Sequence, residues 1–91
     1  MPKVLIYKNW IFVFFPTDIY ENKKHVHIGK KDTFNLCKIW IEPNVEIAKT
    51  GDLTKKQQSE VLEITKKYRK ELLKQWDNFI NGKELEIIKV K

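Results

Sequence analysis

The sequence predicts an α+β domain in which one long helix packs on one face of a mostly antiparallel sheet of four to six short strands. The first half holds short apolar runs separated by prolines and turn residues, which is typical of strands. The second half holds one long segment with apolar residues at helical spacing. The 91 residues, 42% of them apolar, suit one domain with its own core. We therefore treat residues 1–91 as a single domain.

The apolar runs predict five strands at residues 4–7, 10–15, 25–28, 34–41 and 45–48. Lys8 and Asn9 fit a two-residue hairpin turn, and asparagine can take the positive φ that such a turn needs. Pro16 and Pro43 end the second and fourth strands because proline cannot donate to a sheet ladder. The polar segment 17–24 is interpreted as a loop.

A helix is predicted to begin after Thr54. Thr54 and Gln57 have the spacing of a capping box, and Asn81-Gly82 gives a typical helix stop. The apolar stripe predicts that this helix covers the sheet and that Trp76 is buried. Its members are Val61, Leu62, Ile64, Tyr68, Leu72, Leu73, Trp76, Phe79 and Ile80.

The C-terminal segment 83–91 is a predicted extra strand or tail that follows a core at residues 3–80. Its β-prone residues can extend a sheet edge, either in the same chain or in a second copy. The second arrangement predicts a homodimer formed through the C-terminal strand.

Charge and composition limit the function classes. The net charge is +6, and all but one of the 18 basic residues are lysines, which suits a phosphate backbone or an acidic partner better than bidentate base reading. The alternative is a lysine bias that only maintains solubility. A single cysteine, Cys37, excludes an internal disulfide framework. With no visible signal peptide and no apolar run long enough to cross a bilayer, we expect a cytoplasmic protein without membrane contact.

The segment KKHVHIGKK, residues 23–31, contains both histidines of the chain. On a strand, His25 and His27 point to the same side with Cα atoms about 6.6 Å apart, and Val26 and Ile28 point to the other. Three uses of the pair remain open: a metal site, acid–base chemistry on a phosphodiester, and local hydrogen bonding without a ligand.

A metal site needs a third ligand, for which the candidates are Asp18, Glu21, Cys37 and Glu42. None has diagnostic spacing, and the flanking lysines disfavour a cation, so we expect no metal and no cofactor. The same lysines favour a phosphate, and two imidazoles could share acid and base roles in a metal-independent ribonuclease. We expect both rings to be accessible, with His25 and His27 as candidate catalytic groups. The candidate binding residues are Lys23, Lys24, Lys30, Lys31 and Glu42.

Three stretches in order, H-V-H-I, K-I-W-I-E-P and L-L-K-Q-W-D-N-F, resemble the uncharacterised bacterial domain of unknown function 4160 family. The resemblance covers roughly residues 4–79. It departs at Lys23-Lys24, where family members commonly have a proline pair, and in the continuation past residue 83. Some members are labelled as toxin–antitoxin components because of gene context. The resemblance therefore implies a small regulatory module that binds a partner protein encoded by a neighbouring gene, and RNA as a further ligand.

Overall fold

The computed structural model describes residues 2–21, 23–32 and 35–90, apart from the side chain of Ile19. It confirms the α+β class: a six-stranded mixed sheet is combined with two helices that follow each other almost without interruption. The strands are β1 (Lys3–Tyr7), β2 (Trp10–Val13), β3 (His25–Gly29), β4 (Cys37–Trp40), β5 (Glu46–Lys49) and β6 (Ile88–Val90). The helices are α1 (Lys55–Lys67) and α2 (Arg69–Ile80), and a short 3₁₀ helix covers Pro16–Tyr20.

The sheet order is β5-β4-β3-β2-β1-β6, with antiparallel pairing except between β1 and β6. All five predicted strands are present, although the strand predicted at 34–41 begins at Cys37, and Phe34 lies outside the described residues. The positive φ of the first hairpin falls on Lys8, at 53°, and not on Asn9. The loop predicted at 17–24 is wrong in part, because Pro16–Tyr20 forms the 3₁₀ helix.

The predicted long helix is divided at Tyr68 into α1 and α2. The Thr54 hydroxyl accepts from the Gln57 N–H, and the Gln57 side chain accepts from the Thr54 N–H, as a capping box requires. Directly after the break, Arg69 donates from Nε to the Ile41 carbonyl at 2.7 Å, which ties the start of α2 to the end of the fourth strand. Among the described residues, no helix combines the length and apolar character needed to cross a bilayer.

The core lies between the helices and one face of the sheet. Trp76 of α2 is buried, and its ring packs edge-on against Phe14 with centroids 5.3 Å apart. Val26 and Ile28 of β3 are fully buried, as the strand alternation predicts. The stripe ends earlier than predicted, because Ile80 is 47% exposed.

One row of residues crosses five strands on the other face of the sheet. The strand register pairs Lys3 with Val13, Val13 with His27, His27 with Lys38 and Lys38 with Lys49. We call these five residues the cross-strand row. They line a shallow depression of about 860 Å³, and all of its described lining residues precede α1. The depression is therefore the part of this face that the helices leave open.

The predicted extra strand at the C terminus pairs within the chain. β6 runs parallel to β1, with Leu5 opposite Ile88 and Tyr7 opposite Val90, and Ile88 and Val90 are half-buried against the core. The Gln75 side chain also donates to the Glu86 carbonyl, which links α2 to the segment before β6. The tail is thus attached to the sheet edge and to α2.

We predict that Trp76→Ala lowers the free energy of unfolding by about 3–5 kcal/mol, because truncating a buried tryptophan leaves a large cavity. Chemical denaturation measures the change. Ile80→Ala is the matched control on the same helix, and its effect should stay within about 0.5 kcal/mol because the side chain is largely exposed. A loss below about 1 kcal/mol for Trp76→Ala would mean that α2 does not cover the sheet.

We predict that deletion of residues 84–91 lowers stability without changing the mass of the particle in solution. The lost ladder hydrogen bonds contribute about 1 kcal/mol each, and the burial of Ile88 and Val90 adds to them. Denaturation and sedimentation of the full and shortened chains measure both quantities. A halved mass would instead place the strand in a second copy, and unchanged stability would mean that the tail does not pack at all.

Candidate functional site

The 3₁₀ helix fixes the carboxylate of Asp18. Pro16 occupies its first turn, where a proline ring presets φ and no backbone donor is lost. The Phe15 N–H donates to Asp18 Oδ2 at 2.7 Å, and the Asp18 N–H donates back to the Phe15 carbonyl at 2.9 Å. The side chain is buried. Because Oδ2 is held by the backbone, Oδ1 is presented in one direction, toward β3.

Both histidines meet this oxygen. His25 Nε2 lies 3.0 Å from Asp18 Oδ1, and His27 Nε2 is within hydrogen-bond distance of the same atom, at 3.3 Å. The two rings are 5.0 Å apart and nearly perpendicular. The alternation of β3 therefore places the pair on one face, as predicted, and the 3₁₀ helix brings Asp18 to it. The three residues offer ligand atoms that all lie within 4.8 Å of one another.

The hydrogen bond from the His25 ring to the backbone defines the tautomer of the neutral ring. Its Nδ1 lies 2.9 Å from the Lys23 carbonyl oxygen, which can only accept, so Nδ1 carries the proton. In the neutral ring, Nε2 is then a bare lone pair. Its contact with Asp18 lacks the direction of a hydrogen bond, and among the described residues this fully buried nitrogen has no hydrogen-bond partner. A lone pair that faces a carboxylate oxygen at 3.0 Å is repelled by it, and a cation bound between the two atoms would remove that repulsion.

Aromatic rings enclose the two histidines. Phe15 packs 4.3 Å from His27, while Trp40 and Trp76 pack 5.5 Å and 5.2 Å from His25. The side chain of His25 is 0% exposed and that of His27 is 15% exposed. The expectation that both rings are accessible is therefore wrong for His25. The strand alternation places the pair on the open face of the sheet, but the rings of β4 and α2 close over its first member.

Burial lowers the pKa of His27 below its usual value of 6.5, and this effect outweighs the opposing attraction of the Asp18 carboxylate. The positive charge of Lys38 and the neighbouring His25 act in the same direction as burial. His27 is therefore mainly a neutral imidazole at pH 7, which is the form that binds metals.

The site opens toward the depression. Asp18 and His27 line the open depression, whereas His25 lies behind them. The charged groups that share the depression are Lys3, Asp18, Glu21, Lys30, Lys31, Lys38 and Lys49. Five lysines thus face two carboxylates, and a ligand in the depression would reach Asp18 and His27 from the open side of the sheet.

The predicted binding residues divide into two groups. Lys30 and Lys31 line the depression. Lys23 instead lies over the Trp40 ring at 4.5 Å. Lys24 pairs with Asp77 of α2 at 3.1 Å, and its N–H donates to Glu42 at 3.2 Å. Lys24 and Glu42 therefore connect β3 to α2 and to the turn after β4, and are not among the residues that line the depression.

The other candidate ligands do not join the cluster. Cys37 is buried, and burial raises the pKa of its thiol to about 11, so it stays protonated and packs as a small apolar residue. Glu21 approaches His25 Nδ1 only to 3.7 Å and pairs with Lys38 at 3.1 Å. Asp18 is one of four candidate third ligands, and its position in the sequence does not distinguish it from the others. The sequence feature that could have identified it is Pro16 two residues earlier, because a proline followed by an acidic residue is typical of the start of a short capped helix.

The model of the family described as Domain of unknown function (DUF4160) matches residues 9–77. The chain belongs to this family. The match confirms the resemblance carried by the three sequence stretches, and it includes Asp18, His25 and His27. No curated protein and no solved structure shows a significant match. The family description assigns no ligand, so the site must be interpreted from its own chemistry.

We predict that His27 titrates below pH 6.5 in metal-free protein, because its surroundings disfavour the imidazolium. The unfolded chain then binds more protons than the folded one near this pH, so this group destabilises the fold as pH falls from about 6.5 through the folded pKa. NMR of the imidazole protons in EDTA measures the midpoint, and His27→Gln assigns the signal. A midpoint above 6.5 would mean that the carboxylate of Asp18 dominates.

Proposed function

We propose that Asp18, His25 and His27 bind one divalent transition-metal ion, such as Zn²⁺ or Fe²⁺, and that the protein functions through this centre. The observation that carries the proposal is the buried Nε2 of His25, which lacks a hydrogen-bond partner among the described residues and lies 3.0 Å from Asp18 Oδ1. His27 Nε2 approaches the same oxygen. Two imidazoles and one carboxylate are a recurrent ligand set for non-haem iron and for catalytic zinc.

The distances support a shared ion. Metal–ligand bonds of about 2.0–2.2 Å at angles between 90° and 109° separate neighbouring ligand atoms by about 2.9–3.5 Å. The Asp18 Oδ1 to Nε2 distances are 3.0 Å and 3.3 Å. Both separations from Asp18 therefore match a shared ion, and the ligand atoms of all three residues lie within 4.8 Å of one another.

The surroundings also suit metal ligands. Ligating histidines usually donate their second ring N–H to a carbonyl or carboxylate, and His25 Nδ1 does so to the Lys23 carbonyl. The Phe15 N–H holds the second oxygen of Asp18 in the same manner. These contacts orient the ligands before an ion arrives.

The neighbouring lysines repel a bound cation less strongly than their number in the sequence indicates, because their charges are paired. Lys24 is paired with Asp77 on α2, and Lys38 is paired with Glu21. Lys23 is placed over the Trp40 ring. The nearest positive charges therefore have partners, and the buried Asp18 contributes the negative charge that the ion needs.

Asp18 and His27 line the depression, so an ion held by Asp18, His25 and His27 would be reachable from it. With three protein ligands, such an ion would keep room for water or a further ligand, and it would supply Lewis-acid chemistry by polarising a bound oxygen. The rings of Trp40 and Trp76 pack against His25 and exclude solvent from it.

The alternatives drawn from the sequence remain predictions. They are a toxin–antitoxin-like module that binds a partner protein encoded nearby and a metal-independent ribonuclease. A homodimer formed through the C-terminal strand is the alternative to the pairing of β6 with β1 inside the chain, and the deletion of residues 84–91 tests it. The partner hypothesis rests on family resemblance alone. The ribonuclease hypothesis would use the same two histidines without an ion.

We predict that protein purified without a His tag and stripped with EDTA binds one Zn²⁺ per chain. Calorimetric titration and elemental analysis measure the affinity and stoichiometry. Zinc at 100 times the Kd should stabilise the fold by about 2.7 kcal/mol, because the ion binds only the folded chain. Asp18→Asn should weaken binding by at least about 100-fold, beyond the 10–100-fold typical of residues that only orient ligands.

Asp18→Asn also separates binding from folding. The amide oxygen can keep the bond from the Phe15 N–H, and the amide nitrogen can then donate toward the imidazole lone pairs. We therefore expect metal-free Asp18→Asn to be at least as stable as metal-free wild type. Glu63→Gln, at an exposed carboxylate on α1, is the matched control and should bind zinc normally. Equal zinc affinity in both variants, or no stoichiometric zinc in wild type, would contradict the proposal.

A further inference from the structure

We infer that the open face of the sheet binds the phosphodiester backbone of a single-stranded nucleic acid, with one phosphate oxygen at the metal centre and neighbouring phosphates on the cross-strand row. This inference rests on the proposed metal site and names the class of ligand that the site takes.

The proposed metal centre lies at the middle of the cross-strand row. His27 is the middle residue of Lys3, Val13, His27, Lys38 and Lys49. Lysines therefore lie on both flanks of the metal ligand, one on β1 and two on β4 and β5. A chain that follows the row passes the metal at its midpoint.

The cross-strand row is long enough for several phosphates. Strands are spaced by about 4.8 Å, so a row across five strands extends about 19 Å. A single phosphate would use one short part of this length. A polymer with one negative charge per repeat uses all of it, which favours a phosphodiester backbone over a mononucleotide.

The charges of the depression suit a phosphate backbone. Five lysines share the depression with two carboxylates, of which Asp18 faces the imidazole of His25 and Glu21 pairs with Lys38. Lys3, Lys31 and Lys49 are exposed, so their ammonium groups can reach a ligand in solvent. Lysine acts as a point charge for phosphate and does not read bases, so we expect weak sequence preference.

The test uses a fluorescein-labelled 12-nucleotide oligouridylate and fluorescence anisotropy, with wild-type protein in zinc and in EDTA. Replacement of three exposed lysines of the open face, Lys3→Gln, Lys31→Gln and Lys49→Gln together, should weaken binding at least tenfold. It should also reduce the slope of log affinity against log salt by about 2, because each lost phosphate contact on a single strand contributes about 0.7.

The matched control carries the same change of charge on the helices: Lys56→Gln, Lys70→Gln and Lys74→Gln, all exposed. It should bind the oligonucleotide within about twofold of wild type if binding is confined to the open face. Thermal melts of both triple variants verify folding. The same measurement with an oligodeoxyuridylate determines whether the 2′-hydroxyl contributes to binding. Uridine monophosphate, added at equal nucleotide concentration, should compete poorly with the labelled oligonucleotide.

The outcomes separate this inference from the metal proposal. Tight binding in zinc that is weakened by EDTA, by Asp18→Asn and by the open-face variant supports it. If zinc binds at one per chain but the two triple variants bind the oligonucleotide equally, the inference is wrong and the metal proposal stands. Equal competition by uridine monophosphate also overturns it. If wild type takes up no zinc, the metal proposal fails, and this inference fails with it whatever the oligonucleotide does.

Discussion

The carboxylate of Asp18 is the group on which the arrangement of this face depends. One oxygen accepts the Phe15 N–H and so fixes the 3₁₀ helix to the end of β2. The other lies against the Nε2 atoms of His25 and His27. A single buried side chain thus connects the segment after β2 with the start of β3, and the rings of Trp40 and Trp76 complete the enclosure around His25.

This arrangement lowers the stability of the metal-free protein because His25 Nε2 is buried without a hydrogen-bond partner among the described residues. A buried polar atom without a partner costs about 1–3 kcal/mol, and a lone pair directed at a carboxylate adds repulsion to that cost. A cation shared among the three groups would remove this cost. His25 Nδ1 is directed toward a carbonyl, as in histidines that bind a metal through their other nitrogen, and this orientation supports the proposed cation.

Much of the fold could be predicted because local patterns and tertiary structure agree. Alternation in β3, the prolines after β2 and β4 and the capping box at Thr54 each specify an element by short-range physics. The site was only half predictable. The spacing of His25 and His27 gives their common face, but the burial of His25 depends on Trp40 and Trp76, which are distant in sequence. Asp18 could not be singled out from the sequence because the polar pattern of residues 17–24 predicts a loop. The hydrogen bond from the Phe15 N–H that fixes the Asp18 carboxylate is visible only in the structure.

The two outer strands of the sheet affect how the protein behaves at high concentration. β5 has four residues and β6 has three, and each has an exposed lysine, Lys49 and Lys89. Short edge strands with a charged side chain are poor templates for another strand, because a neighbour must bury the ammonium group to gain only a few hydrogen bonds. The same lysine that ends the cross-strand row therefore also protects an open sheet edge from aggregation.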